Sequence, residues 1–460
     1  MSSGTPIGWK SVELREVGKI VTGSTPPKAR QEYYGGNFPF VKPGELLHCP
    51  ISESTDRLSD VGSEVADVVP AGSVLVSCIG NLGKTGLATR SVAFNQQINA
   101  IVPHIPEHSK WVFYAVQTSD FASQIAAVSS ATTIAIVNKG KFSTLKIPLA
   151  PLPEQKRIVA EIEKQFTRLD AGIAALKRTQ ANLKRYRAAV LKSACEGKLV
   201  PTEAELAKTK GRKYETGAQL LQRILTERRK NWSGRGKYKE PAAPDTANLP
   251  ALPEGWVYAT VEQLGVVGEQ PVLTGPFGTN LGREDFTESG VPLLTISCLQ
   301  DTGIKLEKAE FISTEKAREL KKYMLRPGDL LFSRMASVGR AGIVGESLRG
   351  ALFNYHIMRL RLESTALLAK FYMAYVRGSV QVESYLREVN HGATRAGINT
   401  EQLINMPVAL PPFAEQARIV EEVERRLSMV EELESLVETN LQRATKLRQS
   451  ILQKAFSGEL

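Results

Sequence analysis

Cysteine is scarce in this sequence and never closely spaced. Cys49, Cys78, Cys195 and Cys298 are scattered over 460 residues, with no CxxC pair among them. That excludes a zinc ribbon and a disulfide framework, and it fits a reducing compartment. Histidine is sparse too. His104 and His108 stand four apart, but Pro106 between them breaks the helix that would turn both toward one metal ion. No run of 18 apolar residues occurs, and the opening MSSGTPIGWKSVEL has neither the basic nor the apolar stretch of a secretory signal. The expectation is a cytoplasmic protein with no bound metal. An asparagine-Pro-Pro-aromatic motif is missing, as is a GxG loop with an acidic partner, so methyl transfer by this chain is not expected.

One stretch invites a nucleotide-binding reading. SCIGNLGKTG (77–86) follows the apolar run Val74-Leu75-Val76 and ends like a P-loop. A P-loop needs GxxxxGK[ST], in which the first glycine lets backbone N–H groups curl round a phosphate. Cys78 stands at that position, and the residues after Gly86 read as strand instead of helix. No apolar strand ending in aspartate follows to hold a magnesium ion.

What is present is a sequence written twice. PIGWKSVELREVG (6–18) returns as PEGWVYATVEQLG (253–265), and PAGSVLVSCIGNLGKTG (70–86) as RPGDLLFSRMASVGRAG (326–342). AFNQQI (93–98) is matched by LFNYHI (352–357). Residues 154–199 align with 415–460 at a constant offset of 261, without a gap and with 12 of 46 positions identical. In the second copy of the glycine turn, Arg340 replaces Lys84 and Ala341 replaces Thr85. A nucleotide site cannot exchange its magnesium-binding threonine for alanine. A tight turn presenting one cation can exchange lysine for arginine.

The aligned segments have a 3.5-residue apolar period. Ile162, Phe166, Leu169, Ile173, Leu176, Leu183 and Val190 form the first stripe, interrupted by Gln180 and Arg187. Val423, Leu427, Val430, Val437, Leu441, Ala444 and Ile451 form the second. Such a period over four heptads predicts two coiled-coil helices. Each opens with prolines (Pro151 and Pro153; Pro411 and Pro412) and an early glutamate, which suit a first helical turn, and closes at a glycine, Gly197 or Gly458. The segments ahead of them read as α+β, with a twisted, mainly antiparallel sheet and helices over about 110–127 and 366–389. A short helix over 218–230 and a basic, Pro/Ala-rich linker follow the first coil.

The net charge of +11 is localised. Residues 154–195 carry ten Lys/Arg against four Asp/Glu, and 196–240 carry twelve against six. Residues 415–460 carry seven against nine, so the two helices are of opposite net sign. The basic middle of the chain points to a polyanion, most often nucleic acid. Candidate binding residues cluster at matching places in the two halves. They are Asn81 and Lys84, then Asn95, Gln96 and Gln97, then Thr133, Asn138 and Lys139 in the first half. In the second they are Arg334 and Arg340, then Asn354, Tyr355 and His356, then Thr394, Arg395 and Asn399. Asn and Gln read adenine, Arg and Lys read guanine or hold phosphates, and Thr packs on the thymine methyl. Ordinary turn chemistry and a coiled-coil scaffold with two protein-binding heads are the alternatives.

Taken together, PLPEQKRIVAEIE, LPPFAEQARIVEEVE, YRAAVLKSACEGKL, LRQSILQKAFSGEL and the two GW openings resemble the specificity subunit of type I restriction–modification systems. The resemblance implies two target-recognition domains, 1–152 and 250–411, each for half of a split DNA site. A central conserved region (153–249) and a C-terminal one (412–460) would supply an antiparallel helix pair, giving an internal pseudo-twofold repeat. It implies no catalytic residue and no cofactor in this chain. Its partners would be double-stranded DNA, two modification subunits with S-adenosylmethionine, and restriction subunits using ATP and Mg²⁺, in a bacterial or archaeal cytoplasm.

Overall fold

A computed structural model of the chain describes residues 6–130, 134–233, 236–278, 280–300, 303–335, 339–390 and 397–460. Contacts divide it into two compact units, Met1–Thr179 with Leu436–Leu460, and Gln180–Ser435. The division runs through both long helices, Leu152–Cys195 and Phe413–Phe456. Each unit therefore holds one globular head and part of each helix.

The helices pair antiparallel. In the first unit Ile162, Phe166 and Ile451 are buried in one apolar cluster, and Val437 and Ala444 are buried on the facing stripe. Arg448 donates to Asp170 at 2.8 Å, and its guanidinium lies 4.1 Å above the Phe166 ring. In the second unit Leu183, Val190, Val423 and Val430 are buried, and Arg187 reaches Glu434 at 3.0 Å and Glu431 at 3.6 Å. Arg187 and Arg448 hold the same repeat position, and so do Asp170 and Glu431. An arginine thus interrupts each apolar stripe and meets the same acidic position of the other helix. These pairs are partly exposed and contribute little energy, on the order of 0–1 kcal/mol. Their use is register, because a polar group in an apolar seam is satisfied in one alignment only.

The two heads share a strand order. In the first, Gly18–Thr22, Ile98–Pro103, Val74–Ser77, Thr85–Ala88 and Cys49–Ile51 lie side by side, antiparallel except for the last pair. In the second, Val272–Thr274, Ile357–Leu360, Leu330–Ser333 and Ala341–Ile343 repeat the first four, all antiparallel. A second sheet in each head has one parallel pair, Tyr34–Val41 with Val92–Phe94 and Val291–Leu294 with Leu352–Phe353. Each predicted helix of the heads is split in two by a hydroxyl that caps its second part. Ser109–Ala115 gives way to Ser119–Val128 at Thr118, and Ala369–Gly378 to Val380–Val389 at Ser379.

Each head is tied to the start of a long helix in the same way. Its first strand pairs with the strand just before the helix, Lys10–Glu13 with Lys146–Leu149 and Val257–Thr260 with Pro407–Leu410. The Trp9 Nε1–H donates to Glu154 at 3.0 Å, and the Trp256 Nε1–H to Glu415 at 2.9 Å. Gln155 and Gln416 then donate to the carbonyls of Ala150 and Pro411. The repeated GW and EQ dipeptides are thus two ends of one clamp. The clamps differ in depth. Glu154 is 36% exposed at its side chain, whereas Glu415 is fully buried and also accepts from the Glu203 N–H at 2.7 Å. Burial pushes the Glu415 carboxyl above the usual range despite these hydrogen bonds.

Glu415→Ala leaves two buried donors without a partner and should cost about 1–3 kcal/mol. Glu154→Ala, in the shallower clamp, should cost visibly less. Denaturant titration of the two variants measures the difference, and equal losses would contradict the assigned burial.

Candidate nucleic-acid interface

The stretch 77–84 is a hairpin turn between Val74–Ser77 and Thr85–Ala88. Ser77 closes it. Its N–H donates to the Lys84 carbonyl at 2.8 Å, its Oγ accepts from the Lys84 N–H at 2.9 Å, and its hydroxyl donates to the Asn81 carbonyl. Gly80 and Gly83 have φ of 77° and 78°, the left-handed conformation that glycine adopts without strain. In the second head the Ser333 N–H donates to the Arg340 carbonyl at 2.7 Å, and the Arg340 N–H to the Ser333 Oγ at 3.0 Å. Four of the N–H groups in the loop, those of Cys78, Gly80, Gly83 and Lys84, are already bonded to acceptors of the protein itself. Lys84 is half-buried and Arg340 exposed.

Two further loops meet this turn in each head, through matching hydrogen bonds. The Cys78 N–H donates to the Gln97 carbonyl at 2.8 Å and the Arg334 N–H to the His356 carbonyl at 2.9 Å. The Val137 N–H reaches the Cys78 carbonyl and the Ile398 N–H the Arg334 carbonyl, both at 2.9 Å. A glycine packs under each junction. A Cβ on Gly23 would lie 2.3 Å from the Phe94 carbonyl oxygen, and one on Gly275 would lie 2.3 Å from that of Asn354.

The candidate residues divide by what their side chains already do. Asn95 Oδ1 accepts from the Gln97 N–H, and Asn354 Oδ1 from the His356 N–H. Asn138 and Asn399 cap short helices by accepting from Lys141 and Gln402. All four amide oxygens are thus bonded to backbone, which takes up half of the donor–acceptor pair that adenine reading requires. Asn81, Gln96, Lys139, Arg340 and Tyr355 are exposed, and Gln97, Lys84, Arg334 and His356 half-buried. Gln96 Oε1 accepts from the Thr25 hydroxyl at 2.5 Å. Thr133, Thr394 and Arg395 lie outside the described residues.

One participant was not among the candidates. Phe277 is 52% exposed, and its ring lies 5.8 Å from that of Tyr355, at 26°. The Arg334 guanidinium sits 5.7 Å from the centre of the Phe277 ring, and the His356 ring 3.9 Å from that of Tyr355. Burial, with Arg334 beside it, holds the His356 imidazole below its usual pKa. The signal that could have found Phe277 is a short repeat, Thr22-Gly23 and Thr274-Gly275, two residues ahead of Thr25 and Phe277. Among the described residues no group of three His, Cys, Asp or Glu could hold a metal ion, and no helix is long and apolar enough to cross a membrane.

Residues 6–185 and 278–437 match the family described as the type I restriction modification DNA specificity domain. Over its whole length the chain is 24% identical to the EcoKI specificity subunit of Escherichia coli K12, covering 91% of that protein. It is 20% identical to the MjaIX specificity subunit of Methanocaldococcus jannaschii, over 99% of this chain and 94% of that one. A chain in a structure of a type I restriction–modification system superposes with a TM-score of 0.70 at 19% identity, over 99% of both chains. The HsdS subunit from Thermoanaerobacter tengcongensis gives 0.52 at 18% identity, over all of both chains.

Gly23→Ala and Gly275→Ala should each destabilise the fold by about 1–3 kcal/mol, because the added methyl meets backbone that cannot yield. Gly44→Ala and Gly345→Ala, where a Cβ meets nothing within 4 Å, are the controls and should be near neutral. Thermal melts of the four variants check this. Four equal effects would show that the glycines under the junction are not close-approach positions.

Proposed function

The chain belongs to the type I restriction–modification DNA specificity family, and from that premise we propose that each head reads one half of a split duplex site. As in the family it is the non-catalytic, DNA-recognising subunit. The observation that carries the half-site reading is the three-loop junction, built twice with matching backbone hydrogen bonds and different side chains. A constant frame bearing variable polar and aromatic groups is what two recognition surfaces for unlike sequences require. Comparison with known proteins gives no support to a scaffold without DNA specificity.

In this reading the paired helices set the spacing of the half-sites, as protein geometry does for dimeric DNA readers. They also dock two modification subunits, which would carry S-adenosylmethionine. Restriction subunits would bring ATP and Mg²⁺. The chain outside residues 154–240 and 415–460 is close to neutral. Affinity would therefore draw on the basic first helix and the segment after it, with Lys84 and Arg340 adding one cation per head.

Exchanging residues 1–152 for another recognition domain should change only one half of the sequence that the assembled complex selects from a random duplex pool. A change in both halves, or in neither, contradicts the assignment. Lys84→Ala and Arg340→Ala should each weaken DNA binding across sequences and lower the slope of log affinity against log salt by about one. Unaltered affinity and slope in a salt titration would remove the turn from the interface.

A further inference from the structure

The two heads place unlike chemistry at one pair of facing positions. Thr25 and Phe277 each stand two residues after the close-approach glycine, and Gln96 and Tyr355 each stand one residue after the turn asparagine. The members of each pair touch. In the first head they form a hydrogen bond from the Thr25 hydroxyl to Gln96, and in the second a ring pair at 5.8 Å. The same backbone therefore offers a polar pair in one head and an aromatic pair in the other.

We infer that Phe277, backed by Tyr355, is a wedge that enters one base step of the half-site read by the second head and partly unstacks it. The inference rests on the DNA-reading function proposed above. Three features of the site support it. Phe277 is the most exposed Phe, Tyr or Trp among the described residues, whereas Phe332, Phe353, Phe371, Tyr372 and Tyr375 of the same head are at most 1% exposed. Single exposed apolar residues are common, but this one is held in place. The Phe277 carbonyl accepts from the N–H groups of Asn280 and Leu281, and the Gly275 N–H donates to the Ile357 carbonyl, so the backbone is hydrogen-bonded at Phe277 and two residues before it. Arg334 brings a cation over the ring face, beside where a phosphate or a base edge would lie as the ring enters.

Apolar side chains inserted at a base step unstack and kink the duplex, and aromatic rings stack on any base. The aromatic pair would thus make the second half-site sensitive to how easily a step deforms, through stacking instead of hydrogen bonds. The polar pair of the first head has no ring to insert. It suits reading of base edges.

The test uses the full chain assembled with its modification subunits. Its duplexes carry the recognised site with 2-aminopurine placed at successive positions of each half. Methyltransferases flip their target base out of the duplex, so a rise at the target adenine is expected in both halves. Beyond those positions, binding should raise the fluorescence severalfold at one further step of the half read by the second head and at none in the other half. Phe277→Ala should abolish that further rise, leave the rise at the target adenines, and weaken binding of that duplex roughly tenfold or more. A wild-type complex that protects the site from nuclease with fluorescence unchanged everywhere except at the target adenines overturns the wedge alone. So does a further rise that persists in Phe277→Ala. A complex that selects no duplex overturns the functional reading and the wedge with it.

Discussion

A 44-residue helix with an apolar stripe of 3.5-residue period cannot satisfy that stripe by itself, and this chain contains two of them. Each buries its stripe against the other, and the arginines in the stripes settle the alignment. Arg448 meets Asp170 in one unit and Arg187 meets Glu431 and Glu434 in the other. A slip by one heptad would move a guanidinium onto apolar neighbours and leave a carboxylate unmatched. The energy of each pair is small because the groups are partly exposed, and what the pairs contribute is a preference for one alignment of the helices over others. Everything else hangs from these helices, since each head is clamped by its tryptophan to a glutamate in the first turn of one of them.

Within the heads, backbone and side chain have separate duties. Backbone hydrogen bonds, one glycine and one asparagine turn bring three loops together in the same way twice. The side chains that project from this junction are free to differ. Thr25 with Gln96 and Phe277 with Tyr355 are the clearest case. Rigid frames with variable loops are how one fold serves many recognition sequences. The family shared with subunits from Escherichia coli and Methanocaldococcus is consistent with that division of labour at low overall identity.

Much of the architecture could be read before any coordinates because it rests on periodicity and repetition. The two apolar stripes, the α+β heads and the hairpin nature of SCIGNLGKTG all follow from spacing, or from comparing one half with the other. Helix breaks at Thr118 and Ser379 did not follow, because a hydroxyl inside an apolar-periodic run caps or solvates depending on the neighbours that tertiary packing brings. Asn95, Asn138, Asn354 and Asn399 stood out as a repeating set, but spacing cannot tell an amide that holds a turn from one that holds a base. Phe277 escaped because exposure of a ring is a tertiary property. Gly23 and Gly275 escaped because a threonine-glycine dipeptide is too short to be noticed without knowing what packs beneath it.

The central claim is that two unlike heads on one helix pair read two unlike half-sites. Sequencing methylated adenines in a genome, with and without this chain beside its modification subunits, tests it most directly. The account predicts one methylated motif that depends on the chain, made of two different specified parts separated by a gap of fixed length. A methylation pattern that is the same without the chain, or a motif that is continuous, would contradict it.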